Sequence, residues 1–328
     1  MKPRILLTGK KGQVGAELQH LLGESSELLA LDRHELDLAS AESIGRVIRR
    51  FEPQVIINAA AYTAVDQAES DEATARAVNA EAPALMAEEA KRIGALLVHY
   101  STDYVFDGLK KDPYVEDDPT HPINVYGKTK LAGEQGIQNA GGLYLIFRTA
   151  WVYGTRGRNF LLTILRLAAE REELRIVADQ IGAPTWSREI ALATGRIILR
   201  EWERSKRVDS FSKFSGIYHM TAAGQSSWWE FANAIVDEVQ RAADLAWVTA
   251  ATGGRPLIVK RISPIDTTEY PTPARRPSYS ILSNRRLEQV FGIRLPDWRA
   301  QLRAVVADAR TQWRSANPQM SGNSQTIG

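Results

Sequence analysis

Short apolar runs alternate with amphipathic stretches through the first half of the chain. Several of the runs are apolar on both faces, which is typical of parallel strands covered by helices on each side. The predicted strands are residues 4–8, 27–32, 54–59, 95–101 and 143–149. Apolar residues recur at helical spacing between them, over residues 13–22, 40–51, 71–93 and 124–138. This alternation predicts an α/β fold with a doubly wound parallel sheet and right-handed crossovers.

The pattern is less regular after residue 153. Helices are predicted over residues 159–172, 187–202, 226–242 and 296–314, with short strands and loops between them. The proline-rich segment 270–277 predicts a rigid loop, because proline lacks a backbone donor and restricts the residue before it. We therefore expect a smaller C-terminal α/β domain at residues 154–314, with chain exchange between it and residues 1–153. Residues 315–328 are polar and aperiodic, which predicts a disordered tail.

Composition removes several classes of function. The net charge of +2 over 328 residues provides no basic surface for nucleic acid. Cysteine is absent, which excludes disulfides, thiolate metal sites and a cysteine nucleophile. No apolar stretch reaches the roughly 18 residues that a membrane span needs. We expect a cytoplasmic protein with no membrane partner.

A glycine-rich turn follows the first predicted strand. Gly9, Gly12 and Gly15 are spaced Gly-x-x-Gly-x-x-Gly, and a helix begins within the motif. Such a turn brings backbone N–H groups and the positive end of a helix close to a pyrophosphate, although strand-to-helix turns also use glycine for structure alone. Asp32 ends the second strand, where an acid on the adenosine ribose is expected. The pattern predicts a Rossmann-type dinucleotide site. Asp32 favours NAD, whereas Arg33 can meet a 2′-phosphate, so the choice between NADPH and NADH stays open.

Small residues end the third strand, in the sequence Asn58-Ala-Ala-Ala-Tyr62-Thr63. They leave room for a flat cofactor over the carboxyl ends of the strands. Tight packing of a helix on the sheet explains the alanines equally well.

Polar groups with a catalytic pattern appear where the fourth strand ends, at Thr102 and Asp103. Downstream, Tyr126 and Lys130 lie four residues apart and share one face of a helix for which Asn124 is a plausible N-cap. A tyrosine hydroxyl titrates near pH ~10, so a neighbouring cation is needed to make it a good proton donor at neutral pH. The pattern predicts that Tyr126 protonates a carbonyl oxygen that receives a hydride, while Lys130 supplies positive charge and Thr102 binds the oxygen.

Other motifs are excluded or have an ordinary structural explanation. Gly127-Lys128-Thr129 resembles the end of a phosphate-binding P-loop, but Pro122 occupies the position of its first glycine. The histidines form no ligand cluster, and His99 is interpreted as a packed strand residue rather than a base. The acidic run 116–118 is interpreted as a solvated loop rather than a magnesium site.

Seven motifs together resemble the extended short-chain dehydrogenases and, within them, the dTDP-4-dehydrorhamnose reductases. The resemblance covers the chain to about Gln312. The motifs are Gly-Lys-Lys-Gly-Gln-Val-Gly (9–15), Asn-Ala-Ala-Ala-Tyr-Thr-Ala-Val-Asp (58–66), His-Tyr-Ser-Thr-Asp-Tyr-Val-Phe (99–106), Asn-Val-Tyr-Gly-Lys-Thr-Lys-Leu-Ala-Gly-Glu (124–134), Phe-Arg-Thr-Ala-Trp-Val-Tyr (147–153), Asp-Gln-Ile-Gly-Ala-Pro-Thr (179–185) and Tyr-Pro-Thr-Pro-Ala-Arg-Arg-Pro (270–277).

The resemblance implies reduction of the 4-keto group of dTDP-4-dehydro-β-L-rhamnose by NADPH or NADH, the last step in making dTDP-β-L-rhamnose. It implies a catalytic trio of Thr102, Tyr126 and Lys130. The implied cofactor contacts are Gly9, Gly12, Gln13, Val14, Asp32, Asp37, Leu38, Ala61, Tyr62, Thr63, Tyr100, Tyr126 and Lys130. The implied substrate contacts are Thr102, Asp103, Trp151 and either Arg275 or Arg276, whose guanidinium fork suits a diphosphate.

Alternatives on the same scaffold remain. Dehydration is disfavoured because no glutamate follows Thr102-Asp103. A nucleotide-sugar 4-epimerase would keep its NAD bound without net turnover, and a regulatory subunit would not need the trio. Some relatives use magnesium in a dimer interface; here Glu17 is available, but Arg188 stands where a second acid is expected. Mg²⁺ is therefore doubtful, and the protein is expected to be a monomer or homodimer.

Overall fold

The computed structural model describes residues 2–242 and 251–316, with side chains described to residue 307. Its centre is a parallel sheet of six strands. The six strands of this sheet are β1 (Arg4–Thr8), β2 (Glu27–Leu31), β3 (Val55–Asn58), β4 (Leu96–Thr102), β5 (Leu143–Thr149) and β10 (Gly216–His219). Shorter two-stranded pairs are formed by β6 (Val152–Tyr153), β7 (Glu173–Val177), β8 (Ile181–Gly182), β9 (Thr185–Trp186), β11 (Ser226–Ser227) and β12 (Arg261–Ile265). The five strands predicted in the first half are confirmed.

Helices cover both faces of this sheet and build most of the second half. The α-helices are α1 (Gln13–Leu22), α2 (Ala41–Phe51), α3 (Val65–Ala68), α4 (Glu72–Arg76), α5 (Ala82–Ile93), α6 (Val125–Ala140), α7 (Phe160–Glu170), α8 (Ser187–Ser205), α9 (Trp228–Arg241), α10 (Arg285–Phe291) and α11 (Trp298–Ala316). A π-helix spans Ala77–Glu81, and 3₁₀ turns span Asp103–Val105, Val208–Phe214 and Thr267–Glu269. Helix α11 includes the first residues of the predicted tail, and residues 317–328 lie outside the described part of the chain.

The order of the central strands creates a place for a ligand. The sheet runs β10-β5-β4-β3-β1-β2, so the chain leaves β1 toward one side for β2 and toward the other for β3. Open α/β sheets bind ligands at the carboxyl ends of the strands where the order reverses in this way. The structure confirms a Rossmann-type sheet with such a point between β1 and β3.

Alternation along β1 explains why its apolar run is continuous. Ile5 and Leu7 pack into the core on one face, and Leu6 packs into a separate core on the other, all at most 1% exposed. A strand buried on both faces needs apolar residues at every position. A third core, around Tyr153 and Phe231, joins α7, α9 and α11.

The predicted boundary at residue 153 is crossed twice. Strand β10 pairs with β5 in the central sheet, and Ile190 and Ile197 of α8 pack into the core that contains Ile5. The proline-rich segment is a loop that buries Ala274, whose N–H donates to Asp66 Oδ1 at 3.2 Å. The two-domain division itself stays a prediction. Within residues 2–242 and 251–316, no helix has the length and apolar character to cross a bilayer.

The helix predicted over residues 71–93 is confirmed from Glu72 to Ile93, but it is not a regular α-helix throughout. The structure divides this stretch into α4, the π-helix and α5. Pro83 has no N–H to donate to the carbonyl of Asn79, four residues earlier, so a regular helix cannot pass through this turn. The buried Asn79 side chain instead accepts from the N–H of Tyr62 and donates to its carbonyl. The interruption therefore anchors the loop that follows β3.

Candidate active site

The central sheet brings chemically active residues to one edge. Thr8, Asn58 and His99 are register partners on β1, β3 and β4, and Thr102 faces Thr149 across β4 and β5. The Thr8 hydroxyl donates to Asn58 Oδ1 at 2.7 Å. The carboxyl edge is thus a continuous polar surface above an apolar sheet.

The glycine turn leaves no space for side chains. Gly9 has φ +76°, and a Cβ there would lie 2.8 Å from the nitrogen of Ala60. A Cβ on Gly15 would lie 2.1 Å from the carbonyl oxygen of Gly9. Gly12 caps α1 without a side-chain hydrogen bond, so the N–H groups of the first turn face outward. A turn of this kind suits the pyrophosphate of a dinucleotide, and the contacts of Gly9 and Gly12 with it stay predictions.

The next two residues of this turn differ in what they contact. Gln13 Nε2 donates to the carbonyl of Val152 at 3.3 Å, and Gln13 Oε1 accepts from Asn159 at 3.2 Å. Val14 packs against the core beneath the sheet. Gln13 therefore links the glycine turn to the second half of the chain.

An acid and a base face each other at the predicted adenosine end. Asp32 Oδ2 lies 2.5 Å from Lys11 Nζ, and its other oxygen accepts from the N–H of His34 at 2.8 Å. These contacts lower the pKa of Asp32 to about 2, with Lys11 the larger cause. Nearby, Asp37 accepts from the N–H of Ala39, and Leu38 packs against the core. The site offers charges of both signs to a ribose or a 2′-phosphate.

The loop after β3 is held by side chains outside the sheet. Tyr62 is fixed through its backbone by Asn79, and its hydroxyl donates to Asp71 Oδ2 at 3.1 Å. Ala61 is half-buried and Thr63 is exposed beside it. The loop presents its backbone next to the glycine turn, where the sequence predicts the cofactor.

Thr102 and Tyr126 meet at the catalytic edge. The Thr102 hydroxyl donates to Asp103 Oδ1 at 3.0 Å and lies close enough to Tyr126 to influence its pKa. Burial raises the pKa of Tyr126 to about 12, against the lowering effect of the Thr102 hydroxyl, and the Asp103 carboxyl raises it further. Burial also raises the pKa of Asp103 to about 6. In the protein alone, Tyr126 is therefore firmly protonated, as a proton donor must be before it reacts.

Lys130 has different partners from those expected. Its terminal nitrogen Nζ is buried, donates to the carbonyl of Tyr100 at 2.6 Å and lies 3.0 Å from His99 Nε2. Burial lowers the pKa of Lys130 to about 8, while Glu134 on the same helix raises it. Of the trio, Lys130 thus has its hydrogen bonds with His99 and Tyr100 of β4.

His99 has polar contacts that its interpretation as a packed strand residue did not predict. It is fully buried, as expected of a packed strand residue, yet both ring nitrogens have polar partners, Asn58 and Lys130. Burial lowers its pKa well below the usual value, so the ring is neutral. A histidine inside an otherwise apolar strand, three residues before Thr102, was the available signal.

Local contacts fix the helix that carries Tyr126 and Lys130. Asn124 caps α6 by accepting from the N–H of Gly127 at 2.7 Å, which confirms the predicted cap, and donates to the carbonyl of Arg275 at 2.7 Å. Gly127 lies against the carbonyl of Tyr104, where a Cβ would approach to 2.2 Å. One turn beyond Lys130, Glu134 forms a buried ion pair with Arg148 of β5 at 2.7 Å. The helix cannot slide without breaking these contacts.

Tyr100 contributes its backbone rather than its hydroxyl. The hydroxyl donates to Thr194 Oγ1 on α8 at 2.7 Å, and the ring packs against Phe147. Its carbonyl is the acceptor for Lys130. The structure brings Tyr100 to the trio, and its predicted cofactor contact stays a prediction.

A cavity of about 810 Å³ opens in the second half of the chain. Phe160 and Trp228 give it an aromatic wall, and Arg175 and Arg276 line it in ion pairs with Glu269 and Asp66. Arg276 forms a two-pronged ion pair with Asp66, at 3.0 and 2.7 Å. Arg275 is exposed and does not line the cavity. Of the two arginines predicted from sequence to bind the diphosphate, only Arg276 lines the cavity, and its contact with a diphosphate stays a prediction.

Trp151 occupies a strained backbone position. Its φ is +46°, and its ring stacks on Trp228 with 3.4 Å between ring centres. Gly182 lies against the ring, and a Cβ there would come within 2.2 Å of it. Non-glycine residues in this backbone region persist where the surroundings over-determine them, often at ligand sites. Trp151 supports the cavity wall, and its contact with a sugar stays a prediction.

Glu17 and the acidic run 116–118, both considered for metal binding, contact other groups of the protein. Glu17 accepts from Arg188 Nε at 2.8 Å. Glu116 is not part of a solvated loop as expected, because it is 8% exposed and accepts from the N–H of His219 at 2.9 Å. In the described part of the chain, no three acidic or histidine side chains gather as a metal site.

The sheet, the glycine turn and the trio define the extended short-chain dehydrogenase class. The solved structure of a UDP-glucose 4-epimerase from Thermus thermophilus in complex with NAD shares this fold, with a TM-score of 0.72 over 94% of this chain and 99% of that one at 19% identity. At that identity the likeness concerns the fold alone.

More specific comparisons identify the family. The family model described as RmlD substrate binding domain matches residues 1–311. The dTDP-4-dehydrorhamnose reductase of Burkholderia thailandensis is 51% identical over 94% of this chain and 100% of its own length, and that of Escherichia coli is 40% identical over 94% and 98%. A dTDP-4-dehydrorhamnose reductase from Bacillus anthracis, solved in complex with NADP, superposes with a TM-score of 0.82 at 34% identity over 94% of this chain and all of that one. The chain belongs to the dTDP-4-dehydrorhamnose reductase family.

Proposed function

We propose that this protein reduces the 4-keto group of dTDP-4-dehydro-β-L-rhamnose to give dTDP-β-L-rhamnose. The observation that carries the proposal is the convergence of Thr102, Tyr126 and Lys130 at the carboxyl edge of the sheet, beside the glycine turn. A carbonyl reduction needs a hydride at carbon and a proton at oxygen. NADPH or NADH, bound over the turn, supplies the hydride.

The residues of the chain supply the proton and hold the oxygen. Tyr126, protonated in the free protein, donates its hydroxyl proton to the oxygen that becomes the alcohol. The Thr102 hydroxyl, which lies beside Tyr126, would bind the same oxygen. A charge on Lys130 stabilises the phenolate that Tyr126 leaves behind and so makes Tyr126 a stronger acid. Asp103 is buried beside Thr102 and accepts from its hydroxyl, and we assign the Asp103 carboxyl to the sugar.

The substrate nucleotide is assigned to the cavity. Its volume suits a small-molecule site, and its aromatic wall suits a base. Arg276 and Arg175 would bind the diphosphate, which would replace Asp66 and Glu269 as the partners of their guanidinium groups. The first half of the chain, to residue 153, would bind the cofactor, with α8 and β10 contributed from the second half.

The test follows the absorbance of NADPH and NADH with purified protein and the 4-keto rhamnose nucleotide. We expect substrate-dependent oxidation of the cofactor and one alcohol formed for each cofactor oxidised. A 4-epimerase would convert substrate without net oxidation, and a regulatory subunit would do neither. Either of those outcomes would overturn the proposal.

A further inference from the structure

A buried chain of hydrogen bonds runs beneath the catalytic lysine. The Thr8 hydroxyl donates to Asn58 Oδ1, Asn58 Nδ2 lies 3.1 Å from His99 Nδ1, and His99 Nε2 lies 3.0 Å from Lys130 Nζ. These four residues come from β1, β3, β4 and α6, and each is at most 2% exposed. Buried polar groups are almost always hydrogen-bonded, so each donor in this chain is expected to face an acceptor.

The orientation of Asn58 is fixed by a group that can only donate. The backbone N–H of Ala60 points at Asn58 Oδ1 at 3.3 Å, so the side-chain oxygen must face Ala60 and Thr8. The NH₂ group then faces His99 Nδ1 and donates to it, because an amide nitrogen accepts nothing. A neutral His99 ring that accepts at Nδ1 carries its proton on Nε2.

The proton on His99 Nε2 determines whether Lys130 can be charged. The Nε2–H of His99 points at Lys130 Nζ, and an ammonium group has three donors and no lone pair. A neutral amine, in contrast, accepts from His99 and still donates to the carbonyl of Tyr100. A charged Lys130 requires the other tautomer of His99, with the proton on Nδ1, and a flipped side-chain amide of Asn58. The flipped amide would place the Asn58 NH₂ group against the N–H of Ala60, so two donors would face each other.

We propose that His99, oriented by Asn58, sets the charge of Lys130 and holds it as a neutral amine in the protein without ligands. His99 is then a positioning residue: it touches Lys130 and determines the pH at which Lys130 loses its charge. The consequence for catalysis rests on the proposed function, in which a charged Lys130 strengthens Tyr126 as an acid. Since Asn58 is held by the loop that carries Ala60, the charge of Lys130 depends on the loop that faces the predicted cofactor.

The surrounding charges agree with this assignment. Burial lowers the pKa of Lys130 to about 8, and an N–H from His99 lowers it further because it stabilises the neutral amine. Glu134, one turn along α6, opposes this effect, but its charge is paired with Arg148 of β5. Tyr126, on the other side along α6, is protonated and uncharged. The π-helix contributes the neutral Asn79 to this side of α6.

A first test measures the tautomer directly and needs no substrate. Nitrogen-15 spectra of labelled histidines distinguish the two ring tautomers and the charged ring, and the His99 signals are those missing from the His99→Gln variant. We expect the Nε2–H form with an unprotonated Nδ1 from about pH 6 to about pH 8, across the range where histidines ordinarily titrate. A protonated Nδ1 at neutral pH overturns the proposal.

A second test uses the pH profile of kcat/KM. In His99→Gln, the side-chain carbonyl can accept from an ammonium group, so we expect the alkaline limb to move up by about one pH unit, a tenfold change in the dissociation constant. His20→Gln, an exposed change at the end of α1, is the matched control and should leave the limb in place. An active wild type with an unmoved limb in His99→Gln overturns this inference and leaves the proposed function standing. An inactive wild type overturns the proposed function, while the tautomer measurement still decides the charge of Lys130.

Discussion

At the scale of single residues, the environment of each group determines its chemistry. Tyr126 and Lys130 are ordinary in sequence, but burial raises the pKa of the first and lowers that of the second. The pKa of Asp32 is lowered, because Lys11 contacts its carboxylate. The spacing of Tyr126 and Lys130 was predictable from sequence. The contact of Lys130 with His99 was not, since it depends on which face of β4 meets α6.

Asp32 is expected to influence the balance between the two cofactors. Its carboxylate repels a 2′-phosphate and binds a free ribose hydroxyl, while Lys11 attracts a phosphate. We expect Asp32→Asn to raise the ratio of kcat/KM for NADPH over that for NADH by on the order of tenfold, which is about 1.4 kcal/mol. Steady-state kinetics with each cofactor measure it. Asp237→Asn, an exposed change on α9, should leave the ratio unchanged. A ratio in Asp32→Asn equal to that of the wild type would refute the assignment of Asp32 to the adenosine ribose.

Arg276 is expected to act on substrate binding rather than on chemistry. Arg276→Lys keeps the charge but loses the planar fork, so we expect KM for the nucleotide sugar to rise about tenfold with little change in kcat. Arg275→Lys is the neighbouring control, because the Arg275 side chain is exposed and its backbone carbonyl is unaffected. A larger effect in Arg275→Lys than in Arg276→Lys would reverse the choice between them.

At the scale of elements, the turns and helix ends place the groups that react. Helix α6 is anchored at its start by Asn124 and in its middle by the Glu134–Arg148 ion pair. The boundaries of α1 and of the first strands were predictable, because glycine, N-caps and apolar runs mark them. The π-helix at Ala77–Glu81 was not, since Pro83 lies in a stretch whose apolar spacing fits a continuous helix.

Removing half of the buried ion pair should destabilise the fold. Glu134→Gln leaves Arg148 charged and nearly unexposed, so we expect a loss of about 3 to 5 kcal/mol in the free energy of unfolding. Denaturant titration measures this loss. Glu42→Gln, at an exposed pair on α2, should cost under about 0.5 kcal/mol. Similar losses in both variants would contradict the role given to the buried pair.

The glycine turn should tolerate no side chain. Gly15→Ala places a Cβ against the carbonyl oxygen of Gly9, so the turn must open and cofactor affinity must fall, by at least tenfold on the scale of about 1.4 kcal/mol per decade. Fluorescence titration with NADPH measures the affinity. Gly216→Ala, where the added Cβ meets only ordinary contacts at the start of β10, is the control. Unchanged affinity in Gly15→Ala would place the pyrophosphate elsewhere.

At the scale of the whole molecule, one sheet edge collects residues that are distant in sequence. Thr8, Asn58, His99 and Thr102 come from three strands, and the reversal of strand order at β1 leaves space above them. The α/β class and this edge were predictable from periodicity. The pairing of β10 with β5 and the aromatic wall at Trp228 were not, because both depend on long-range packing of the less regular second half.

The proposed reduction depends most directly on the proton that Tyr126 donates. The decisive measurement is the rate of NADPH oxidation with saturating 4-keto rhamnose nucleotide in Tyr126→Phe, compared with wild type and with Tyr144→Phe. The control removes a hydroxyl at the opposite, amino end of β5. We predict a fall of about 10² to 10⁴ in kcat for Tyr126→Phe, the usual contribution of general acid catalysis, and little change for Tyr144→Phe. A rate in Tyr126→Phe equal to that of the wild type would contradict the account.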